Sequence, residues 1–195
     1  MKLIIATHNP HKVQEIKHML QHHRDFEVLS LDDIDYRHEV EETAKTFEGN
    51  AILKAETIMK DLNEWVIADD SGLEIRALNN EPGVYSARYL GEDTPYTTKN
   101  QWILDRLKDE ANRQARFVSV VCLSRPKQFP LCFRGEVDGM IGYEAKGDQG
   151  FGYDPIFYPN GYQESFAELS LDKKNQVSHR AKALSLAIAY LKETV

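Results

Sequence analysis

The chain is poor in cysteine, in positive charge and in long apolar runs, and each shortage closes off a class of protein. Two cysteines, Cys122 and Cys132, among 195 residues are too few for the disulfide framework of a small secreted domain. They flank an expected hairpin and can face one another across it, but buried thiols in a reducing cytosol are the expectation. No apolar stretch approaches the roughly 20 residues that cross a bilayer. The run from Met1 to Thr7 is too short for a signal peptide. A cytoplasmic protein with no membrane partner is therefore expected. Lysine and arginine number 24 against 31 aspartates and glutamates, a formal charge of −7. That balance argues against a nucleic-acid partner, which needs a broad basic face. A small anion needs only a few cations gathered in one place, and remains open. Repeats, low-complexity tracts and Gly/Ser linkers are also missing, so residues 1–195 are expected to form a single domain, bilobed within one sheet.

What is present is an alternation of strand and helix signals. Lys2 to Ala6 reads as a short buried strand, with a turn at Thr7-His8-Asn9. Pro10 suits the first position of a helix with Asn9 as its cap, and Val13, Ile16 and Leu20 build its apolar stripe. Glu27 to Leu31 reads as a second strand, and a helix is expected from about Thr43 to Leu62 on the spacing of Phe47, Ala51, Ala55, Ile58 and Leu62. Trp65 to Ala68 reads as a buried strand ending at a turn, Asp69-Asp70-Ser71-Gly72, before another strand from Leu73 to Leu78. A helix over Tyr96 to Ala111, strands at Arg116 to Ser124 and Leu131 to Asp138, a Gly-rich loop from Gly147 to Tyr153, a strand at Pro155 to Tyr158 and a last helix capped by Ser178 complete the order. The fold class is α/β, and the late hairpin implies a mixed sheet.

Several groups of residues can carry chemistry. Thr7, His8, Asn9, Pro10, His11 and Lys12 join a strand to a helix start, where backbone N–H groups, the helix dipole and the Lys12 charge suit a phosphate. The bland alternative is an ordinary capped helix with Lys12 in solvent. Asp69 and Asp70 stand where the buried strand is expected to end, a usual ligand position in open α/β sheets. Adjacent strand residues point to opposite sides, so one of the two should face a site; a simple turn is the alternative. Glu39, Glu41 and Glu42 precede a helix, where the dipole alone would favour them, but one of them can share a divalent ion with Asp70. Asn50 and Lys54 lie one turn apart on one helix face. Phe151-Gly152-Tyr153-Asp154 offers aromatic faces for stacking and a carboxylate acceptor. Lys174, His179 and Arg180 stand near the start of the last helix. His18, His22 and His23 approach metal-ligand spacing but have no acidic or cysteine partner, so no zinc site is expected.

In chain order these pieces are Thr7-x-Asn9-x-x-Lys12, Phe47-Glu48-Gly49-Asn50-Ala51-x-x-Lys54-Ala55, Ala68-Asp69-Asp70-Ser71-Gly72-Leu73, Pro82-Gly83-Val84-Tyr85-Ser86-Ala87-Arg88-Tyr89, Phe151-Gly152-Tyr153-Asp154-Pro155 and Ser178-His179-Arg180. The series resembles the inosine/xanthosine triphosphate pyrophosphatase family from Lys2 to the last helix. The resemblance implies a long mixed sheet flanked by helices, two lobes with a nucleotide cleft between them, a homodimer and a Mg²⁺ cofactor. It implies that Thr7 to Lys12 hold the phosphates and that Asp70 is the catalytic base and a metal ligand, with Glu41 as the second metal carboxylate. It also implies that Ser71 touches the purine nucleoside triphosphate, and that Phe151, Gly152, Tyr153, Asp154, Lys174, His179 and Arg180 surround base and sugar. One departure stands out: many members carry Glu directly before the helix asparagine, where this chain has Gly49. Glu48 does not replace it, because one helical residue turns the side chain by about 100°.

The implied chemistry suits the residues. Water attacks the α-phosphorus and pyrophosphate leaves, so charge must be neutralised and water aligned. Lys12 and Lys54 would stabilise the leaving group, Asp70 would take the water proton, and Lys174 or Arg180 would donate to a 6-oxo group that adenine lacks. The rivals are a regulator that binds a triphosphate without cleaving it and a hydrolase for modified pyrimidine triphosphates.

Overall fold

In the computed structural model, residues 1–21, 23 and 25–194 are described. The described residues form an α/β fold with a mixed seven-stranded sheet and five α-helices. The strands are β1 (Lys2–Ile5), β2 (Glu27–Ser30), β3 (Trp65–Ile75), β4 (Glu81–Pro82), β5 (Gln114–Ser124), β6 (Leu131–Ile141) and β7 (Phe157–Pro159). The helices are α1 (Pro10–Leu20), α2 (Phe47–Leu62), α3 (Tyr96–Arg106), α4 (Leu171–Val177) and α5 (His179–Thr194). The strand order is β2-β1-β3-β5-β6-β7, with β4 pairing to β3. β1 runs parallel to β2 and β3, whereas β4 on β3 and β7 on β6 are antiparallel.

Two compact units share these strands. The first comprises residues 1–70, 119–135 and 180–195, the second residues 71–118 and 136–179. In the first unit, α1 begins as expected: Asn9 Oδ1 accepts the backbone N–H groups of His11 and Lys12, and Pro10 occupies the first turn, where a missing N–H costs nothing. α1 buries Ile16 and Leu20, and the core of this unit adds Leu3 and Ile5 of β1, Ile67 of β3, Val121 and Leu123 of β5, and Ala183, Leu184 and Ala187 of α5. Each fully buried aliphatic side chain contributes about 1.5–3 kcal/mol. In the second unit, Leu73 and Ile75 of β3 pack with Ile103 of α3, Phe117 of β5, Ile141 of β6 and Phe157 and Phe166. Phe117 and Phe157 meet edge to face at 4.7 Å.

Four expectations are corrected. β3 is one strand through Asp69-Asp70-Ser71-Gly72, not two strands around a turn. The aspartates can stay extended because each buried carboxylate finds cationic and hydrogen-bonding partners, described below. α2 starts at Phe47 rather than near Thr43, because Thr46 adopts extended backbone angles and its hydroxyl accepts the Gly49 N–H. Lys174 lies on a separate short helix, α4, capped by Ser170; Ser178 divides it from α5. Finally, Cys122 and Cys132 are bonded across β5 and β6, with Cα atoms 4.0 Å apart, rather than held as separate thiols. Smaller shifts are found at helix and strand ends: α3 stops at Arg106, and residues 154–156 form a 3₁₀ turn ahead of β7.

Candidate active site

The first unit gathers buried charge at the middle of β3. Successive strand residues alternate sides, and the two aspartates separate accordingly. Asp69 takes Lys12 Nζ at 2.8 Å and Arg180 Nη2 at 3.2 Å on Oδ2, while the Ser119 hydroxyl donates to its Oδ1. Arg180 also pairs with Glu15 of α1, and its side chain is only 2% exposed. Burial alone would raise the Asp69 pKa, but the Arg180 guanidinium and then the Lys12 ammonium outweigh it and hold Asp69 well below the usual carboxylate range.

Asp70 has a different environment. The Asn50 side-chain amide donates to its Oδ2 at 3.2 Å, and Lys54 Nζ is 3.7 Å from its Oδ1. Lys54 also reaches Glu42 at 2.7 Å and the Asp69 carbonyl at 2.8 Å. Burial pushes the Asp70 carboxyl up; Lys54 and Lys12 pull it down, and the charges of Glu42 and Asp69 add to the upward shift, so the net direction is up. Lys54 is held above its ordinary value because Asp70 and Glu42 outweigh the cost of its burial. Lys12, Lys54 and Arg180 thus face Asp69, Asp70, Glu42 and Glu15.

The residues expected at the phosphate end fall into two groups. Lys12, Lys54 and Asp70 come together, with Asp69 bridging to Lys12. Asn9 caps the amides of His11 and Lys12, and Thr7 Oγ1 accepts the Asn9 N–H at 3.1 Å. Lys12 points to Asp69 rather than to solvent. His8 turns toward Asp32, 3.5 Å from its carboxylate, and Pro10 and His11 are exposed. Ser71 is half-buried in the next unit's part of β3. Glu41 is exposed, and the acidic side chain that reaches Lys54 is Glu42. Gly49 lies against the segment leading into α2: a Cβ there would stand 2.7 Å from that of Ala44 and 3.0 Å from Thr46 Oγ1. Among the described residues no three His, Cys, Asp or Glu side chains are grouped as a protein-only metal cage. His22, one of the three histidines considered for zinc, lies outside the described residues.

The second unit builds a different cluster around the Gly-rich loop. Asp154 Oδ2 accepts the Phe151 N–H at 2.8 Å and Lys174 Nζ at 2.7 Å. Lys174 Nζ also lies 5.0 Å from the Phe151 ring centre, within cation–π range. Gly150 has a positive φ, and a Cβ there would run into the Asp154 carboxylate, so glycine lets the loop close on that group. Tyr153 is buried, and its hydroxyl donates to the Ser86 carbonyl at 2.8 Å. His179 is buried and stacks on Phe117 at 4.6 Å, with the rings nearly parallel at 8°. Arg180, expected beside the base, belongs by its contacts to the Asp69 network of the first unit.

Sequence reasoning named Glu42, Asp69 and Asn50 without their partners, and missed Ser119 and Glu15. Spacing offered a signal for Glu15, one helical turn beyond Lys12 on α1; Ser119, inside an apolar strand, offered none.

Comparison with known proteins agrees with this geometry. A family model described as the Ham1 family matches residues 3–190. The chain belongs to the Ham1 family. A relative from Exiguobacterium sp. named dITP/XTP pyrophosphatase is 48% identical over 184 residues, covering 94% of this chain and 93% of that protein. A Bacillus subtilis protein of the same name is 48% identical over 183 residues, with 93% and 92% covered. Among solved structures, the Staphylococcus aureus Ham1 protein superposes with a TM-score of 0.90 at 42% identity over the whole of both chains. A HAM1 protein from Coxiella burnetii gives 0.89 at 36%, with 99% of each covered.

Proposed function

We propose that residues 1–195 form one nucleoside-triphosphate pyrophosphatase domain that hydrolyses dITP, ITP, XTP and dXTP to the monophosphate and pyrophosphate. The names of the full-length relatives support the reaction, and the buried cluster of Asp70, Asn50, Lys54 and Glu42 supplies groups suited to it. The observation that carries the reading is the placement of Lys54 against both Asp70 and Glu42, a cation and two carboxylates within one small volume.

The donor set fits Mg²⁺, which favours oxygen ligands and takes one or two protein carboxylates together with substrate phosphates. Asp70 is a buried carboxylate whose ionised form burial and the nearby negative charges disfavour, a strain that a divalent cation relieves. Asp70 would be one ligand; Glu42, by its contact with Lys54, is better placed to be the other than the exposed Glu41. When bound, the ion neutralises phosphate charge and polarises the phosphorus.

This chain's own residues account for the remaining steps. Lys12 and Lys54 exchange their carboxylate partners for the triphosphate oxygens and offset the charge that builds on the leaving pyrophosphate. Thr7 to His11 line the same helix start, and Ser71 follows Asp70 in β3 as a substrate contact. Asp70 Oδ accepts a proton from water, the water oxygen bonds to the α-phosphorus, and the bond from that phosphorus to the bridging oxygen of pyrophosphate breaks. Asn50 holds the carboxylate in place while the proton transfers. The purine is bound by Phe151, Gly152, Tyr153, Asp154, Lys174 and His179. Phe151 stacks on the ring, and the Lys174 ammonium, kept in place by Asp154, donates to the 6-oxo oxygen. Adenine has an amino group there and leaves that donor unpaired. The family resemblance supports a homodimer, and the nucleotide substrates support a cytoplasmic location. Among the described residues, no helix is long and apolar enough to cross a membrane.

The experiment is pyrophosphate release from dITP, XTP, dUTP, dATP and dGTP with Mg²⁺ present. Release from dITP and XTP far above the others, and its loss in Asp70→Asn, are expected. Preference for dUTP, or tight dITP binding with no release, would sink the proposal.

A further inference from the structure

α3 lies outside every motif used so far, yet one face of it supports the base-side loop. Tyr96, Lys99, Asn100 and Ile103 share that face at three- and four-residue spacing, and Lys99, Asn100 and Ile103 are buried. Lys99 Nζ donates to the Ala87 carbonyl at 2.6 Å, beside the Ser86 carbonyl that receives the Tyr153 hydroxyl. Asn100 Nδ2 donates to the Gly152 carbonyl at 3.1 Å, 52 residues away in sequence. Gly152 sits at φ +70°, and the edge of the Tyr96 ring would be 3.7 Å from a Cβ at that position. Tyr96 and Tyr153 meet edge to face at 5.2 Å. The loop is therefore fastened at its carbonyl by Asn100, at Tyr153 by Ser86 and at Asp154 by Lys174.

Asn100 makes an unusual bargain. Its residue is only 4% exposed, and its Oδ1 is buried with no hydrogen-bond partner among the described residues. Rotating the amide by half a turn would set Oδ1 against the Gly152 carbonyl oxygen, so the contact itself fixes which atom is which. An unsatisfied buried acceptor costs stability. Leucine, of similar outline, would avoid that cost but leave the Gly152 carbonyl without this donor. What asparagine adds at this place is the hold of Nδ2 on that carbonyl.

We propose that Asn100 is a positioning residue for base selectivity: by holding the Gly152 carbonyl it sets where the Phe151 ring and the Asp154–Lys174 pair meet the purine. The proposal rests on the base-side assignment above and adds to it a residue that touches no substrate. Loosening the carbonyl lets the loop drift, and a small displacement of a recognising group is enough to lose much of its discrimination.

The test compares wild type with Asn100→Leu and Asn100→Asp for Tm and for kcat and KM on dITP and dATP. Asn100→Leu should melt within a few degrees of wild type, raise KM for dITP about tenfold with kcat within about twofold, and cut the dITP-over-dATP ratio of kcat/KM about tenfold. Asn100→Asp keeps the size but turns an oxygen on the carbonyl, and should shift KM and the ratio the same way; it decides the matter if the leucine variant does not fold. Unchanged KM and ratio in the folded variants would overturn the proposal. So would a lower Tm with both substrates affected alike, which is the mark of structural support only. If wild type releases pyrophosphate from dITP and the variants keep its selectivity, only the role of Asn100 fails. If wild type does not cleave dITP, the function proposed above fails and Asn100 falls with it.

Discussion

Asn50 Nδ2 stands 3.2 Å from Asp70 Oδ2 while Asn50 Oδ1 accepts the Ala44 N–H at 2.9 Å. One fully buried amide therefore joins the carboxylate in mid-strand to the irregular segment that carries Glu42. Both ends of that amide are used, and the orientation of Asp70 depends on it.

Replacing Asn50 with alanine removes both bonds at once. Asn50→Ala should lower kcat for dITP about 10- to 100-fold, because Asp70 loses its alignment, and should cost about 2–3 kcal/mol of stability from the unpaired buried groups. Steady-state pyrophosphate release and urea unfolding measure the two effects. A variant with full kcat would show that Asp70 is aligned by other means.

Asp70 has the signature of a group kept for function at the expense of stability. Its pKa is raised above the ordinary 3.8, first by burial, so across the interval above that value the folded protein holds a proton that the unfolded chain has released. Stability therefore falls as pH rises through that interval. Asp70→Asn removes the loss. In metal-free buffer at pH 7 the variant should melt at or above the wild-type temperature, while activity assayed with Mg²⁺ drops about a thousandfold. A clear fall in Tm would mean that the carboxylate is a net stabiliser.

Asp69 should show the reverse. Its pKa is depressed, so its contribution is present above the unfolded value near 3.8 and fades as pH falls through the lower folded value. Asp69→Asn leaves Arg180 and Lys12 short of a buried counter-charge. It should cost about 3–5 kcal/mol at pH 7 and flatten the wild-type loss of stability below pH 4. Thermal melts from pH 2 to 7 test both parts; an acid limb identical to wild type would remove Asp69 from this role.

Phe151 is half-buried, with the Lys174 ammonium 5.0 Å from its ring centre. Phe151→Ala should raise KM for dITP about tenfold or more, since base–aromatic stacking is worth about 1–3 kcal/mol, and leave kcat nearly unchanged. Initial-rate kinetics decide it; an effect on kcat alone would put the ring elsewhere in the cycle.

Much of this arrangement was legible before any coordinates. The cap at Asn9 and the pairing of Asn50 with Lys54 on one helix face follow from local rules, as does the expectation that only one of two adjacent strand aspartates faces a given site. The alternation rule did not say which one, because that depends on Arg180, 111 residues away from Asp69. Glu41 and Glu42 could not be told apart, since the segment that bears them has no period to count along. Turn-forming residues suggested a break at Asp69 to Gly72, yet buried partners hold those residues in extended form. Ser170, three residues before Lys173, whose N–H it caps, is a readable start signal for α4. The face of α3 was hidden because its polar members bond to backbone carbonyls, and backbone leaves no trace in residue identity.

Lys12 resting on Asp69 and Lys54 resting on Glu42 mean that the cluster carries its own counter-ions. An incoming anion has to displace them, which taxes weakly charged visitors more than strongly charged ones. On the proposed role of this cluster, inorganic phosphate and the released monophosphate would compete poorly with these internal carboxylates, whereas a triphosphate would bring enough charge to prevail. The resting molecule would thus be shielded from abundant small anions, and after cleavage the carboxylates would be at hand to recapture the lysines and let the products go.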